Sequence, residues 1–236
     1  MTLRQPLEGA PTLAEIVRRI LDVTLASMML LATAPLMLAI AILIKLDSPG
    51  PVLFFQRRMT RCRRSRSSGP LPPEVDRRAN EIAGRPFQFV KFRTMHVDAR
   101  ERFPELYCYS YSDAEIEKVR FKLPDDPRVT RFGARLRRTS LDELPNFWNV
   151  LVGDMTLVGP RPEIPEMSRY YGPRERFKFS VKAGVTGPAQ VSGRGWLTFR
   201  ETQACDIAYV RERSLAYDLW LLRETFRSVL KRRGAF

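Results

Sequence analysis

Residues 23–44 carry no charged side chain, an apolar run of about 22 positions. In a helix rising 1.5 Å per residue, that run reaches across a bilayer core of roughly 30 Å. Pro35 sits inside it, where it removes a helix hydrogen bond and crowds the preceding turn, with Thr33 close by to meet freed carbonyls. Both flanks are basic, with Arg18 and Arg19 before and Lys45, Arg57, Arg58 and Arg61 after, whereas a single span carries its cation excess on one side. Length, proline and charge together predict a helix over 14–47 that enters a membrane, bends near Ala34 and Pro35, and leaves on the face it entered. A true span and a buried soluble helix are the alternatives. The run is too long for a signal peptide.

Beyond the turn-rich Asp47-Ser48-Pro49-Gly50-Pro51, apolar and polar positions at 52–56 and 87–93 predict two strands paired as a hairpin. Between them, 61–84 is rich in Arg, Ser, Pro and Gly, which suits a flexible basic insertion beside anionic lipid or a plain solvated loop. Residues 95–123 read as mostly helical, with a cluster of Tyr107, Tyr109 and Tyr111 to which no chemistry is assigned. Phe132 and Leu136, four apart, mark a basic helix over 129–138. A further helix opens at Ser140, turns Leu141, Leu144, Phe147, Trp148 and Leu151 inward, and stops at Gly153. A short strand at 155–158 runs into Gly159-Pro160-Arg161-Pro162, and 182–194 reads as a long glycine-rich loop with a functional role. Leu215, Leu219, Leu222, Phe226 and Leu230 fall at helical spacing, with Arg223, Arg227, Lys231, Arg232 and Arg233 on the other faces. This last helix suits either the core or a lipid interface, with Trp220 as anchor. The fold class is α+β, mostly helical: a membrane helix over 14–47 and a domain over 48–236.

Composition narrows the partners. The 236 residues carry a net charge of +14, so anions are sought: nucleic acid, lipid head groups or phosphorylated small molecules. Cys62, Cys108 and Cys205 are odd in number and widely spaced, which gives neither a disulfide framework nor a zinc site. His96 is the single histidine, so Ser/His/Asp catalysis and histidine-based metal sites drop out.

The candidate chemistry lies in Arg137-Arg138-Thr139-Ser140-Leu141-Asp142-Glu143-Leu144-Pro145. A helix opening at Ser140 holds Asp142 and Glu143 in its first turn, where unpaired N–H groups and the positive dipole end favour carboxylates and phosphates. The same Ser140-x-x-Glu143 spacing is also a capping box, in which Glu143 only caps its own helix. Downstream, prolines on both sides of Arg161 fix its backbone, and a rigidly aimed guanidinium suits a diphosphate, although a surface turn has the same sequence.

Taken together, Arg18-Arg19-Ile20-Leu21-Asp22, Lys91-Phe92-Arg93-Thr94-Met95, Ser140-Leu141-Asp142-Glu143-Leu144-Pro145, Gly153-Asp154-Met155 with Gly159-Pro160-Arg161-Pro162-Glu163, and Val185-Thr186-Gly187-Pro188-Ala189-Gln190-Val191-Ser192-Gly193-Arg194 resemble the bacterial sugar transferase family. These are monotopic polyprenyl-phosphate phosphoglycosyl transferases. The resemblance implies transfer of a sugar 1-phosphate from a nucleoside diphosphate sugar to undecaprenyl phosphate or a similar polyprenyl phosphate. Asp142 is the implied nucleophile, with Mg²⁺ at Asp142 and Glu143. Lys91, Arg93, Arg137, Arg161, Gln190 and Arg194 are the implied substrate and phosphate contacts. Arg18, Arg19, Ala34 and Pro35 are the implied re-entry residues. Membrane lipids are the further expected partners and nucleic acid is not, while a homodimer is left open. The implied location is the cytoplasmic face of a bacterial inner membrane. Two departures stand out: Ala34 replaces the serine of the family's Ser-Pro break, and Pro188 replaces a bulkier apolar residue. A non-catalytic anionic-lipid or nucleic-acid binder and a glycosyltransferase without a covalent step are the rival readings.

Overall fold

The computed structural model describes residues 12–61, 84–120, 123, 125–193 and 196–230. Residues 62–83 of the basic insertion (61–84), Arg194 and the basic end at 231–233 therefore lie outside the described residues.

Helix α1 (Leu13–Asp47) starts at Thr12, whose hydroxyl accepts the Glu15 N–H while the Glu15 carboxylate accepts the Thr12 N–H. That reciprocal cap satisfies two orphan donors and puts a carboxylate at the positive dipole end. The helix continues through Pro35 instead of stopping there. Thr33 donates to the Met29 carbonyl at 2.6 Å rather than to the Leu31 carbonyl that Pro35 leaves without its N–H. Both features favour bending over breaking. Ala34 and Pro35 are exposed, as are Leu31, Leu36, Leu38 and Ile42, so the middle of the helix has no protein core to enter. It is the one described helix long and apolar enough to cross a membrane.

Its two ends behave differently from its middle. Near the start, Arg18 pairs with Asp218 at 2.6 Å, and Arg19 donates to the Val150 and Leu151 carbonyls at 2.6 and 2.7 Å. Asp22 accepts the Leu157 N–H at 2.8 Å and the Thr156 hydroxyl at 3.0 Å. Near the finish, Ile40 and Ile44 pack with Phe92, Leu136 and Leu144, and the Asp47 carboxylate accepts the Phe132 N–H. Both ends are thus tied to the same domain.

Strands β1 (Leu53–Thr60) and β2 (Arg85–Phe92) form the expected antiparallel hairpin, registered from Leu53 opposite Phe92 to Thr60 opposite Arg85. Helix α2 (Arg131–Thr139) is capped by Thr130, whose hydroxyl accepts the Gly133 N–H at 2.9 Å. It crosses the end of β2 so closely that a Cβ at Gly133 would lie 2.2 Å from the Thr94 carbonyl oxygen. Only glycine permits that approach.

The expected helix from Ser140 does not form. Ser140 adopts the left-handed conformation, φ 58°, as the C-cap of α2, with its N–H directed to the Arg137 and Leu136 carbonyls. An N-cap needs extended backbone, so one residue cannot close one helix this way and open another. Leu141–Glu143 instead form a single 3₁₀ turn with no side-chain cap, and α3 (Asn146–Val152) begins only after Pro145, which has no N–H to join the turn to the helix. The capping box is therefore absent. Trp148 is exposed rather than inward, while Asn146, Asn149 and Val150 are buried in its place.

Strand β3 (Met155–Val158) is where expected, but the predicted glycine-rich loop is not a loop. It contains β4 (Ala183–Thr186), parallel to β3, followed by α4 (Pro188–Gly193). The described residues of 95–123 hold short helical elements of four residues each, Ala99–Arg102, Pro104–Tyr107 and Asp113–Ile116, so that stretch is less helical than expected. Helices α5 (Phe199–Glu212) and α6 (Leu215–Leu230) complete the chain. Ala26, Phe87, Phe89, Val150, Met155, Leu157, Val158, Tyr209 and Leu221 form a core drawn from α1, β2, α3, β3, α5 and α6. Leu219, Trp220 and Phe226 on α6 stay exposed, leaving an apolar surface on that helix.

Candidate active site

The hairpin register builds one wall. Directly opposed residues share a face, so Phe54 with Lys91, Gln56 with Phe89 and Arg58 with Phe87 all point the same way. Lys91 Nζ accordingly stands 5.8 Å from the Phe54 ring centroid, and the Arg58 guanidinium 5.6 Å from that of Phe89. Apolar surroundings make these cations costly to keep charged. Burial pulls the Lys91 ammonium down to about 8, opposed by the Asp142 carboxylate, and burial together with neighbouring Arg161 pulls Arg58 down to about 10.

The second wall is the turn after α2. Ser140 redirects the chain so that Asp142 is buried, 6 % exposed, in the field of Lys91 and Arg137. Burial lowers the affinity of Arg137 for its proton, and Asp142 and Asp126 oppose that shift. Arg137 is aimed by its Nε, which donates to the Thr94 hydroxyl at 3.0 Å, and by Asp126 at 3.8 Å. Asp126 is itself fixed by Arg128 at 2.7 Å.

Between the walls lies a cavity of about 2230 Å³. It is lined by the charged Lys91, Arg137, Asp142, Glu143 and Arg161 and by the apolar Leu25, Met29, Phe54, Leu222 and Phe226. One continuous space thus joins charged side chains to apolar walls supplied by α1, β1 and α6. A small recess of about 30 Å³ beside it is lined by Arg58, Lys91, Glu143, Arg161 and Gln190. Gln190 Oε1 is buried there without a hydrogen-bond partner among the described residues, an acceptor left over for a ligand hydroxyl or N–H.

Of the residues expected from sequence, Lys91, Arg137, Asp142, Glu143, Arg161 and Gln190 are brought together. Arg93 lines the same cavity, and its guanidinium donates to the Ser48 carbonyl at 2.7 Å, to the Ser48 hydroxyl at 3.0 Å and to the Pro49 carbonyl. It closes the C-terminal end of α1. Arg18 and Arg19 tie the other end to the domain, as described above. Arg58, which the sequence presents only as part of the basic flank, joins Lys91, Glu143, Arg161 and Gln190; its signal is parity, since it sits opposite Phe87, two same-face pairs from Phe54 and Lys91. Among the described residues, no group of three or more His, Cys, Asp and Glu gathers to hold a metal. Two adjacent carboxylates with open space beside them do not make a zinc site, but they match Mg²⁺, which binds through one or two carboxylates, water and substrate phosphates.

The chain belongs to the bacterial sugar transferase family, whose model matches residues 13–232. It is 36% identical over 221 residues to the galactosyl transferase CpsE of Streptococcus agalactiae, covering 93% of this chain and 43% of that protein. It is 45% identical over 155 residues to the UDP-galactose-lipid carrier transferase of Erwinia amylovora, covering 65% and 32%. A third relative is the UDP-glucose:undecaprenyl-phosphate glucose-1-phosphate transferase of Caulobacter vibrioides, 37% identical over 227 residues, covering 93% and 72%. The chain spans less than half the length of the first two relatives.

Proposed function

We propose that this chain moves a sugar 1-phosphate from a uridine diphosphate sugar to undecaprenyl phosphate or a similar polyprenyl phosphate, through a covalent intermediate on Asp142. In the first half-reaction an Asp142 carboxylate oxygen attacks the phosphorus that bears the sugar. The bond from that phosphorus to the bridging oxygen breaks, and nucleoside monophosphate leaves with the bridging oxygen and its electron pair. In the second, a phosphate oxygen of the lipid attacks the same phosphorus and the carboxylate is released. The observation that carries this reading is the cavity, which joins a buried carboxylate among cations to apolar walls on α1 and α6. A carboxylate nucleophile approaching an anion needs its charge offset, and Lys91, Arg137, Arg58 and Arg161 supply that. Asp142 and Glu143 would hold Mg²⁺, which when bound neutralises phosphate charge further.

The decisive experiment incubates the detergent-solubilised protein with Mg²⁺, undecaprenyl phosphate and a panel of nucleotide sugars, and identifies the released nucleotide. UMP is expected. Release of UDP would mean glycosyl transfer and overturn the proposal.

Re-entry of α1 is part of the same proposal, on a cytoplasmic membrane with the domain on the cytoplasmic face. Its support is that residues at both ends of α1 bond to one polar domain, which cannot lie on both sides of a bilayer. Tags placed before residue 14 and after residue 47 should both be reachable from the cytoplasm; a periplasmic N-terminal tag contradicts re-entry.

Lys91 gives the proposal a pH signature. Its ammonium is needed as a cation toward the donor and loses its proton near pH 8, so kcat/KM for the donor should fall as pH rises through about that value. Lys91→Arg keeps a positive charge at all working pH values and should move the fall upward. An unchanged alkaline limb in that variant would assign the limb to another group.

A further inference from the structure

Behind the Pro160-Arg161-Pro162 turn lies a buried set of charges that the proposed chemistry does not use. Lys178 places Nζ 3.0 Å from Asp206 Oδ2 and 3.5 Å from Glu163 Oε2. The same ammonium donates to the Tyr171 hydroxyl at 2.9 Å, and that hydroxyl donates to Glu163. All four side chains are buried, Asp206 completely. One ammonium between two carboxylates is a costly way to fill a core, since apolar residues of the same volume often do as well or better.

What sets this cluster apart is what its residues hold. Asp206 Oδ1 accepts the backbone N–H of Arg161 at 3.4 Å. Glu163 follows Pro162 directly, and its carbonyl accepts the Met59 N–H of β1 at 2.8 Å. From the hairpin, Arg58 donates to the Pro162 carbonyl at 3.3 Å. The turn that presents Arg161 to the cavity is therefore gripped on one side by the Asp206 carboxylate and on the other by the backbone of Glu163 and by Arg58. Lys178 links Asp206 to the Glu163 side chain, whose carboxylate also accepts the Ile164 N–H at 2.9 Å. With two prolines already limiting the backbone, the remaining freedom is rotation of the whole turn, and that is what such ties remove.

We propose that Lys178, by holding Asp206 and Glu163 together, is a positioning residue for Arg161, fixing the aim of its guanidinium at the donor diphosphate. This rests on the reading that Arg161 grips the donor. The test uses the full chain in detergent with the uridine diphosphate sugar that gives the most UMP. Donor KM, acceptor KM and kcat are compared for the unchanged protein, Lys178→Met, Lys178→Arg, Arg161→Ala and Lys178→Met/Arg161→Ala. Lys178→Met should raise donor KM by about tenfold, the scale of a small misplacement at a charged contact. It should leave kcat within about threefold. Lys178→Arg should restore most of the loss, and acceptor KM should not move.

The double variant decides whether the effect runs through Arg161. Added to Arg161→Ala, Lys178→Met should raise donor KM by no more than about twofold. A full further increase, or an equal rise in acceptor KM, overturns the proposal and leaves Lys178 a core residue. Unchanged donor KM in Arg161→Ala defeats the underlying reading of Arg161, and the proposal with it. Should Lys178→Met fail to fold, Lys178→Met/Asp206→Asn removes opposite charges together while keeping an oxygen for the Arg161 N–H, and is read against Arg161→Ala in the same way.

Discussion

Asp142→Asn should lower phosphosugar transfer by at least about a thousandfold, the scale of losing a covalent nucleophile, while the protein still folds. The amide has the shape of the carboxylate but cannot form a stable acyl phosphate. Asp142 is the middle residue of the Leu141–Glu143 3₁₀ turn, so the substitution falls at no element boundary. What it does change is charge. The carboxylate counters the burial that lowers Lys91 and Arg137, and without it Lys91 should lose its proton at still lower pH. Two measurements check this. Protein mixed with donor labelled in the sugar, then denatured, should retain label in the unchanged chain and none in the variant. Thermal unfolding should stay within a few degrees of the unchanged chain. Retained label in Asp142→Asn would move the covalent attachment to another residue, with Glu143 the next candidate, whereas near-normal UMP release without retained label would remove the covalent step.

Much of the frame was legible because it depends on local pattern: the uncharged run, the hairpin alternation, the Phe132 and Leu136 pair, and the strand at Met155–Val158. What was not legible depends on distant contacts. Ser-x-x-Glu has the local meaning of an N-cap at Ser140, yet the preceding helix claims that residue as a left-handed C-cap. Pro145 was the overlooked signal, since a proline four positions after Leu141 prevents a regular first turn. Gly184 looks like loop punctuation in the sequence, but a Cβ there would lie 2.1 Å from the Gly159 nitrogen, so this glycine serves close packing at the β3–β4 pair. No local pattern separates those two uses. Within the site, Lys91 and Arg93 share a parity that suggests a shared role; they part because the end of α1 comes to rest over Arg93 alone.

That separation predicts the second large effect, on stability rather than on substrate. Arg93 is 5 % exposed, and its guanidinium serves the Ser48 and Pro49 carbonyls and the Ser48 hydroxyl where α1 ends. These carbonyls have no helical partners of their own, and a cation at the negative end of the helix dipole is favourable. Arg93→Ala takes the guanidinium donors from these oxygens, those of buried Ser48 included, and opens a space beside the Gly50 turn, whose missing Cβ already makes room for the Arg93 side chain. The cost should be about 2–4 kcal/mol, a drop in melting temperature of ~5–15 °C for a chain of this size. Arg93→Lys should recover little, because one ammonium cannot reproduce a planar fork that reaches several oxygens at once. Donor KM at a temperature where the variant is still folded should stay within about threefold, since uniform binding is not what this arginine provides. A variant with normal melting temperature and a donor KM raised tenfold or more would return Arg93 to the phosphate contacts. It would also mean that the end of α1 is held to the domain by Ile40, Ile44 and Asp47 without it.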